Sequence, residues 1–438
     1  MLTTVRNFLG EKVDNSPLVL FRIFYGLLLT GESIGAILTG WVNETFIEPK
    51  FTFTIIGFEW MQPLAGDGMI YYFILMGILG ILISLGLFYR VATFGFLVMW
   101  TVAYMMQKSH YNNHYYLLIL LAAVMFVLPA HRSRSLDVRL GFARPEDACE
   151  RICHWFFILQ IMIVYVYASF HKINPDWING SPLNIWFKYK TDYWLIGPLL
   201  GKEWMPYLIA WGGILFDGTI VFLLLHPKSR KIGFVLSLVF NLFNSAVFQI
   251  GIFPYLMILL CVFFFPPEQI RSIFFRRKPK VVPVKNSLSI PWTALVAIYF
   301  LVQLLLPLRH YAYAGPVSWT DEGHKLSWRM MLRRKSGSVN FTLVDQSTGT
   351  RSKVQLRNYL TPNQLSSFKG HPDMIWQLAQ RIGAEKQAEG KEVAVFVNAS
   401  ISLNGHPHRA LIDPKVDLTS VPWEPWKHSD WILIYEDR

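Results

Sequence analysis

The chain is poor in charge and in cysteine. Of its 438 residues, 16% are Asp, Glu, Lys or Arg, and three are cysteine. Ordinary soluble domains carry roughly 25% charged residues. So little charge beside 53% apolar side chains excludes a freely soluble enzyme and a disordered chain. Cys149, Cys153 and Cys261 are too few for a disulfide scaffold, and no His/Cys spacing makes a zinc site. No disulfide, thiol chemistry or metal centre is therefore expected. The sequence also lacks a phosphate-cradling glycine loop, a dinucleotide fingerprint, a Ser-His-Asp set and a haem-type His pair within one apolar run. Internal repeats and low-complexity tracts are absent. No small-residue cleavage pair follows the first apolar run, so that run reads as an uncleaved span and not a signal peptide.

What is present is apolar length. Segments near 18–38, 69–88, 91–107, 114–130, 152–170, 205–226, 232–248, 250–266 and 291–308 each approach the roughly 20 residues that cross a bilayer. The seventh and eighth form one run, broken at Gln249, Gly251 and Pro254, which must turn back or bend. The aromatic share of 16% suits interfacial belts of Trp and Tyr. The fold class expected is a polytopic α-helical membrane bundle of about nine spans over 1–308, followed by a smaller extramembrane α+β domain over 309–438. In that second part Val339–Val344 and Val393–Leu403 alternate like strands, and Pro362–Arg381 reads as mainly helical.

The net charge is +12. The basic residues sit in short loops between apolar runs, which speaks for membrane topology and against a nucleic-acid partner. Arg6 and Lys12 precede span 1, and the next loop is acidic. Arg90, the run Arg132–Arg151, Lys228–Lys231 and Arg271–Lys285 then fall on the amino-terminal side. By the positive-inside rule that side is cytoplasmic, and nine spans place the carboxyl-terminal domain outside.

The same topology gathers polar groups at the outer face. Span 4 begins there with Lys108-Ser-His-Tyr-Asn-Asn-His114, and span 5 ends there with Tyr165, Tyr167, His171 and Lys172. Span 7 brings Asn241, Asn244 and Gln249 on one broad helical face, and span 9 ends at Arg309 and His310. Ionisable groups at spans are functional candidates, because each is costly in the bilayer centre. The bland readings are helix–helix hydrogen bonds and snorkelling lysines, at about even odds for any one residue. Lys172 could serve as a general base only when neutral, which burial favours and the carbonyl end of its helix opposes. His114, at an amide end, is suited to stay neutral and to donate or accept one hydrogen bond. Arg22 is expected to snorkel inward, Asp217 to hydrogen-bond within the bundle, and Glu32 to join either a network or the site.

These stretches resemble the vitamin K-dependent gamma-glutamyl carboxylase family, related to the horizontally transferred transmembrane domain proteins. The likeness rests on Lys108-Ser-His-Tyr-Asn-Asn-His-Tyr115, Tyr167-Ala-Ser-Phe-His-Lys-Ile-Asn-Pro-Asp-Trp177 and Asn244-Ser-Ala-Val-Phe-Gln-Ile-Gly-Ile-Phe253. Ser327-Trp-Arg-Met-Met331 and Ile412-Asp-Pro-Lys-Val-Asp417 follow in the same order. Each motif is weak alone; five in order, over most of the chain, are specific. The resemblance implies an enzyme that oxygenates a reduced vitamin K to its 2,3-epoxide. The oxygenated quinone removes a γ-proton from a peptide glutamate, and the carbanion takes up CO2. It implies Lys172 as base, with Asn113 and His114 orienting the quinol; Tyr167, Asn244 and Gln249 complete the candidate cofactor site. The cofactor expected is phylloquinol or menaquinol, with O2 and CO2 as co-substrates. The partners expected are a glutamate-containing protein and membrane lipid. Animal members carry a disulfide outside the membrane, and this chain has no cysteine there. The short, cysteine-poor form is expected to be bacterial, in the inner membrane, using menaquinol. The rival readings are a non-carboxylating quinol epoxidase and a non-catalytic quinone- or lipid-binding protein. A lipid-linked sugar transferase ranks below these, for want of a paired acidic motif in the first outer loop.

Overall fold

The computed structural model describes residues 2–194 and 196–435. A helical half and a mixed α/β half each enclose their own apolar core.

The helical half begins with a staple. Strand β1 (Lys12–Asp14) pairs antiparallel with β2 (Ala148–Glu150). Buried Lys278 reaches the same corner, binding Asp14, Asn15 Oδ1 at 2.7 Å and Ser16 Oγ at 2.9 Å. A buried ammonium requires such partners. Helix α1 (Ser16–Leu38) leaves this corner with proline in its first turn and runs along α2 (Gly68–Leu85). Their backbones nearly touch, since a Cβ at Gly26 would lie 2.4 Å from the Ser84 nitrogen. Arg22 does not snorkel. It is buried, and its guanidinium donates to the carbonyls of Ala130 (3.2 Å) and Arg134 (2.7 Å).

Helices α3 (Tyr89–Met106), α4 (Asn113–Val127), α5 (Ile152–Lys172), α6 (Met205–Leu225), α7 (Arg230–Phe248), α8 (Phe253–Leu260) and α9 (Ile290–Leu305) follow. Helices thus form in all nine apolar segments, but nine crossings do not follow. Among the described residues, six helices are long and apolar enough to span a membrane. A seventh appears if α8 and its 3₁₀ extension are joined to Pro267–Phe274 across a 114° bend. The 15 residues of α4 rise only about 22 Å, short of a hydrocarbon core of about 30 Å. The run spanning α7 and α8 turns where expected, at Gln249 (φ 51°) and Gly251 (φ 62°).

The second half holds an antiparallel sheet in the order β4-β3-β5-β6. Strands β3 (Lys335–Asp345) and β5 (Val393–Leu403) pair along their whole length, from Lys335↔Leu403 to Asp345↔Val393. Strands β4 (Arg351–Lys353) and β6 (Arg409–Ala410) edge it. The stretch expected to be mainly helical holds two helices: α10 (Pro362–Phe368), opened by a Thr361/Gln364 capping box, and α11 (Pro372–Ala388). Ile375, Leu378 and Ile382 of α11 pack into one core with Val395, Val397 and Ala399 of β5. Phe53, from the loop after α1, enters this second core and fastens the halves together.

The junction is charged and buried. Asp373 at the start of α11 accepts Lys108 (2.9 Å) and Lys325 (2.7 Å). Asp321 meets Arg333, Lys335 (3.4 Å) and His371 (2.6 Å). Burial, the largest influence on Asp373, raises its carboxyl, yet Lys108, Lys325 and His371 hold it well below the usual range. Burial lowers the Lys108 ammonium to about 8, against the opposing pull of Asp373.

Candidate active site

Lys172 occupies the last turn of α5. Just beyond it, Asn174 caps a short turn by accepting from the Trp177 amide at 3.1 Å. That turn places the Trp177 ring 5.4 Å from the Lys172 ammonium. The indole N–H in turn donates to the Ala210 carbonyl of α6 at 2.9 Å. Small residues let α5 and α6 approach: Ser169 Oγ donates to the Ile214 carbonyl at 2.9 Å, beside Gly213 and Gly218. The close approach delivers Lys172 Nζ to Asp217 Oδ2 at 2.5 Å. The two side chains are 11% and 4% exposed, so the pair is screened from water.

Across from them, Asn112 opens α4 by accepting from the Tyr115 amide at 2.8 Å. His114 follows in the first turn, stacked on Phe253 of α8 with centroids 4.0 Å apart. His114, Lys172, Asp217, Asn241, Asn244 and Phe253 all line one cavity of about 80 Å³. Met330 and Met331 line it too, from the stretch that follows α9. This stretch is held in an unusual shape: Leu326 (φ 59°), Trp328 (φ 56°) and Met331 (φ 55°) are all left-handed. Side chains with a Cβ adopt that conformation only when surroundings enforce it, and such residues gather at functional sites. Here the enforcers include the Asn113 amide, which donates to the Arg329 carbonyl at 3.0 Å, and the Tyr116–Trp328 ring contact at 5.1 Å.

The structure therefore brings together Lys172, His114, Tyr165, Asn241 and Asn244 among the residues singled out from sequence. Asn113 sits elsewhere, with Oδ1 accepting from Tyr111 at 3.0 Å and its amide on Arg329. It shapes the strained stretch and does not line the cavity. Tyr167 points to α9, its hydroxyl donating to the Leu304 carbonyl at 2.5 Å. Gln249 is exposed in the turn after α7 and lines none of this cavity. Asp217 was expected only to hydrogen-bond within the bundle, yet it is the direct partner of Lys172. The signal was an acid inside an apolar run, the costliest of placements. Trp177, Phe253, Met330 and Met331 carried no signal of their own beyond lying in the motif stretches.

One wall of this site comes from the helical half and its cover from the stretch leading into the α/β half. The comparisons with known families divide in the same way. The HTTM-domain family matches residues 11–268, and the lumenal domain of vitamin K-dependent gamma-carboxylase matches residues 289–438. The chain belongs to the vitamin K-dependent gamma-carboxylase family. No solved structure matches it. As a membrane protein of this carboxylase family, it holds its buried Lys–Asp pair where the two matched regions meet.

The cavity fits a reduced naphthoquinone in kind. Its walls are flat or pliable and apolar (Phe253, Trp177, Met330, Met331), as an aromatic ring system requires. Its polar groups are few and converge from four helices. Lys172 and Asp217 can exchange a proton with a hydroxyl, and His114 and Asn244 can hold one by a hydrogen bond.

Proposed function

We infer that this chain is a vitamin K hydroquinone-dependent gamma-glutamyl carboxylase with coupled epoxidase activity. In this reading a membrane domain over 1–308 has its amino terminus in the cytoplasm. The domain over 309–438 lies outside, across a bacterial inner membrane, as the basic loops indicate. The observation that carries the reading is the Lys172–Asp217 pair, dry and facing a ring-walled cavity with His114 opposite. Reduced vitamin K, when bound there, would supply with oxygen the strong base that takes the γ-proton of a peptide glutamate, opening it to CO2.

Lys172 Nζ accepts the hydroxyl proton that starts this chemistry. To do so the amine must first lack its own extra proton. In a dry pocket two separated charges are costly, so a proton resting on the Asp217 carboxyl competes with the ion pair. Asp217 thereby acts as a positioning residue, aiming the amine and holding the proton that Lys172 gives up. His114, stacked on Phe253, orients a ring oxygen from the opposite side. Asn244 contributes a further hydrogen bond, and Met330 and Met331 keep water from the reacting groups.

The test is one assay with two readouts. Purified protein receives hydroquinone, oxygen, a glutamyl peptide and labelled CO2, and epoxide and label incorporation are followed together. Both should appear in wild type and vanish in Lys172→Ala. Epoxide without label would make the protein a non-carboxylating epoxidase. Neither product would leave a quinone- or lipid-binding protein.

A further inference from the structure

A second cavity lies at the opposite edge of the helical half. It holds about 500 Å³ between α4, α5 and α9. His114 and Val127 mark the two ends of α4, about 20 Å apart, and this cavity lies at the Val127 end. Its interior is apolar: Ala123 and Val127 come from α4, Phe156 from α5 and Leu295 from α9. Helix α9 is scarcely packed, with 11% of its apolar window buried, so the cavity opens sideways to whatever surrounds the bundle. In a bilayer that surrounding is lipid tails.

The mouth has another character. Lys12, Arg90 and Arg132 line it, against Glu146 and Glu150. Glu146 is shared by Lys12 (2.6 Å) and Arg132 (2.9 Å). Arg90 has no carboxylate partner among the described residues; its guanidinium lies 5.9 Å from the Phe126 ring. A long apolar slot ending in a surplus cation at the basic edge is complementary to an amphiphile with an anionic head.

We propose that this cavity binds one membrane phospholipid with a net negative headgroup, its acyl chains in the slot and its phosphate on Arg90. The site is independent of the chemistry at Lys172. Phosphatidylcholine carries the same phosphate but offsets it with its own choline cation, and a quinone tail carries no charge, so neither neutralises the surplus at Arg90. Near anionic lipid, one basic residue is worth about a fivefold change in affinity.

Native mass spectrometry of the full chain in detergent, titrated with phosphatidylglycerol and with phosphatidylcholine of the same acyl chains, tests this. Wild type should bind phosphatidylglycerol about fivefold more tightly. Arg90→Gln should abolish that preference while retaining phosphatidylcholine binding. Ala123→Phe, which fills the slot, should weaken both; if it does not fold, Arg90→Gln alone decides. Equal affinities in wild type, an unchanged preference in Arg90→Gln, or displacement of phosphatidylglycerol by neutral menaquinone would each overturn the assignment.

Discussion

Of the buried Lys–Asp pairs among the described residues, one at the junction of the halves and one inside the bundle differ in company more than in geometry. Lys108 and Asp373 meet at 2.9 Å at the junction of the halves, and Lys172 and Asp217 meet at 2.5 Å inside the bundle. The first pair is embedded among Lys325, Arg333, Lys335, Asp321 and His371. Asp373 is shared by Lys108 and Lys325 and sits beside the Asp321 cluster, so moving one proton disturbs a whole network. Asp217 has Lys172 as its sole ion-pair partner among the described residues, and that pair opens on an apolar cavity. A crowded pair fastens two domains; a solitary pair beside a ring-walled cavity is free to trade a proton. The same two residue types thus serve architecture in one place and chemistry in the other.

The contrast is sharpest in paired alanine variants. Lys172→Ala should lower epoxide formation by about 10³ or more, the scale of a lost general base, with little change in Tm. Lys108→Ala should do the reverse, lowering Tm while the surviving folded fraction keeps its rate. If both variants fail in the same way, the distinction collapses.

His114→Ala should cost about 10²–10³ in rate, as for a lost hydrogen bond at developing charge. Asn113→Ala was expected from sequence to match it. With its amide on Arg329 and not in the cavity, it should instead lose Tm and activity together. Circular-dichroism melts run beside the assay separate these outcomes.

Asp373→Asn should destabilise the fold by about 3–5 kcal/mol, because it leaves buried cations short of a partner. The folded carboxyl sits below its unfolded value, so the stability it contributes is complete above about pH 4. It fades as the pH drops through the folded value. The gap in Tm between wild type and variant should hold from pH 7 to 5 and narrow in stronger acid. A gap that widens there would contradict the ion-pair account.

The smallest effect is expected at Asp217. Asp217→Asn should keep the fold and lower the rate by about 10–10². Its distinguishing mark is a displaced pH–rate profile, which a purely structural contact would leave in place. Full activity in Asp217→Asn beside an inactive Lys172→Ala would remove Asp217 from the mechanism and leave Lys172 in it.

Much of this was legible in the sequence. Apolar length marked all nine helical segments, and β-branched alternation marked both long strands. Counting loop charges brought Lys172, His114 and Asn244 to one face, where the structure joins them. Depth was not legible. Lys172 ends its apolar run and Asp217 lies in the middle of another, so their levels appeared different. The 32 residues between α5 and α6, with short helices such as Leu183–Phe187, carry the start of α6 beyond the end of α5. That offset sets mid-helix Asp217 beside Lys172. Nor could hydropathy separate the 15-residue α4 or the short, bent α8 from a full crossing, and with α3 also outside the six spanning helices, nine expected spans become six or seven. Tyr167 and Gln249 shared a neighbourhood with the site but not its side: one faces α9 and the other solvent. Met330 and Met331 reach the cavity only through a left-handed backbone that no local pattern announces.

The central claim is that Lys172 is the proton acceptor, and chemical rescue tests it most directly. Epoxide formation by Lys172→Ala is measured at pH 7 with and without a small primary amine, beside wild type and Lys172→Arg. The account expects no product from the alanine variant alone, partial recovery with amine, and none in Lys172→Arg, whose guanidinium stays protonated. Near-normal epoxidation by Lys172→Ala without amine, or full activity in Lys172→Arg, would contradict it.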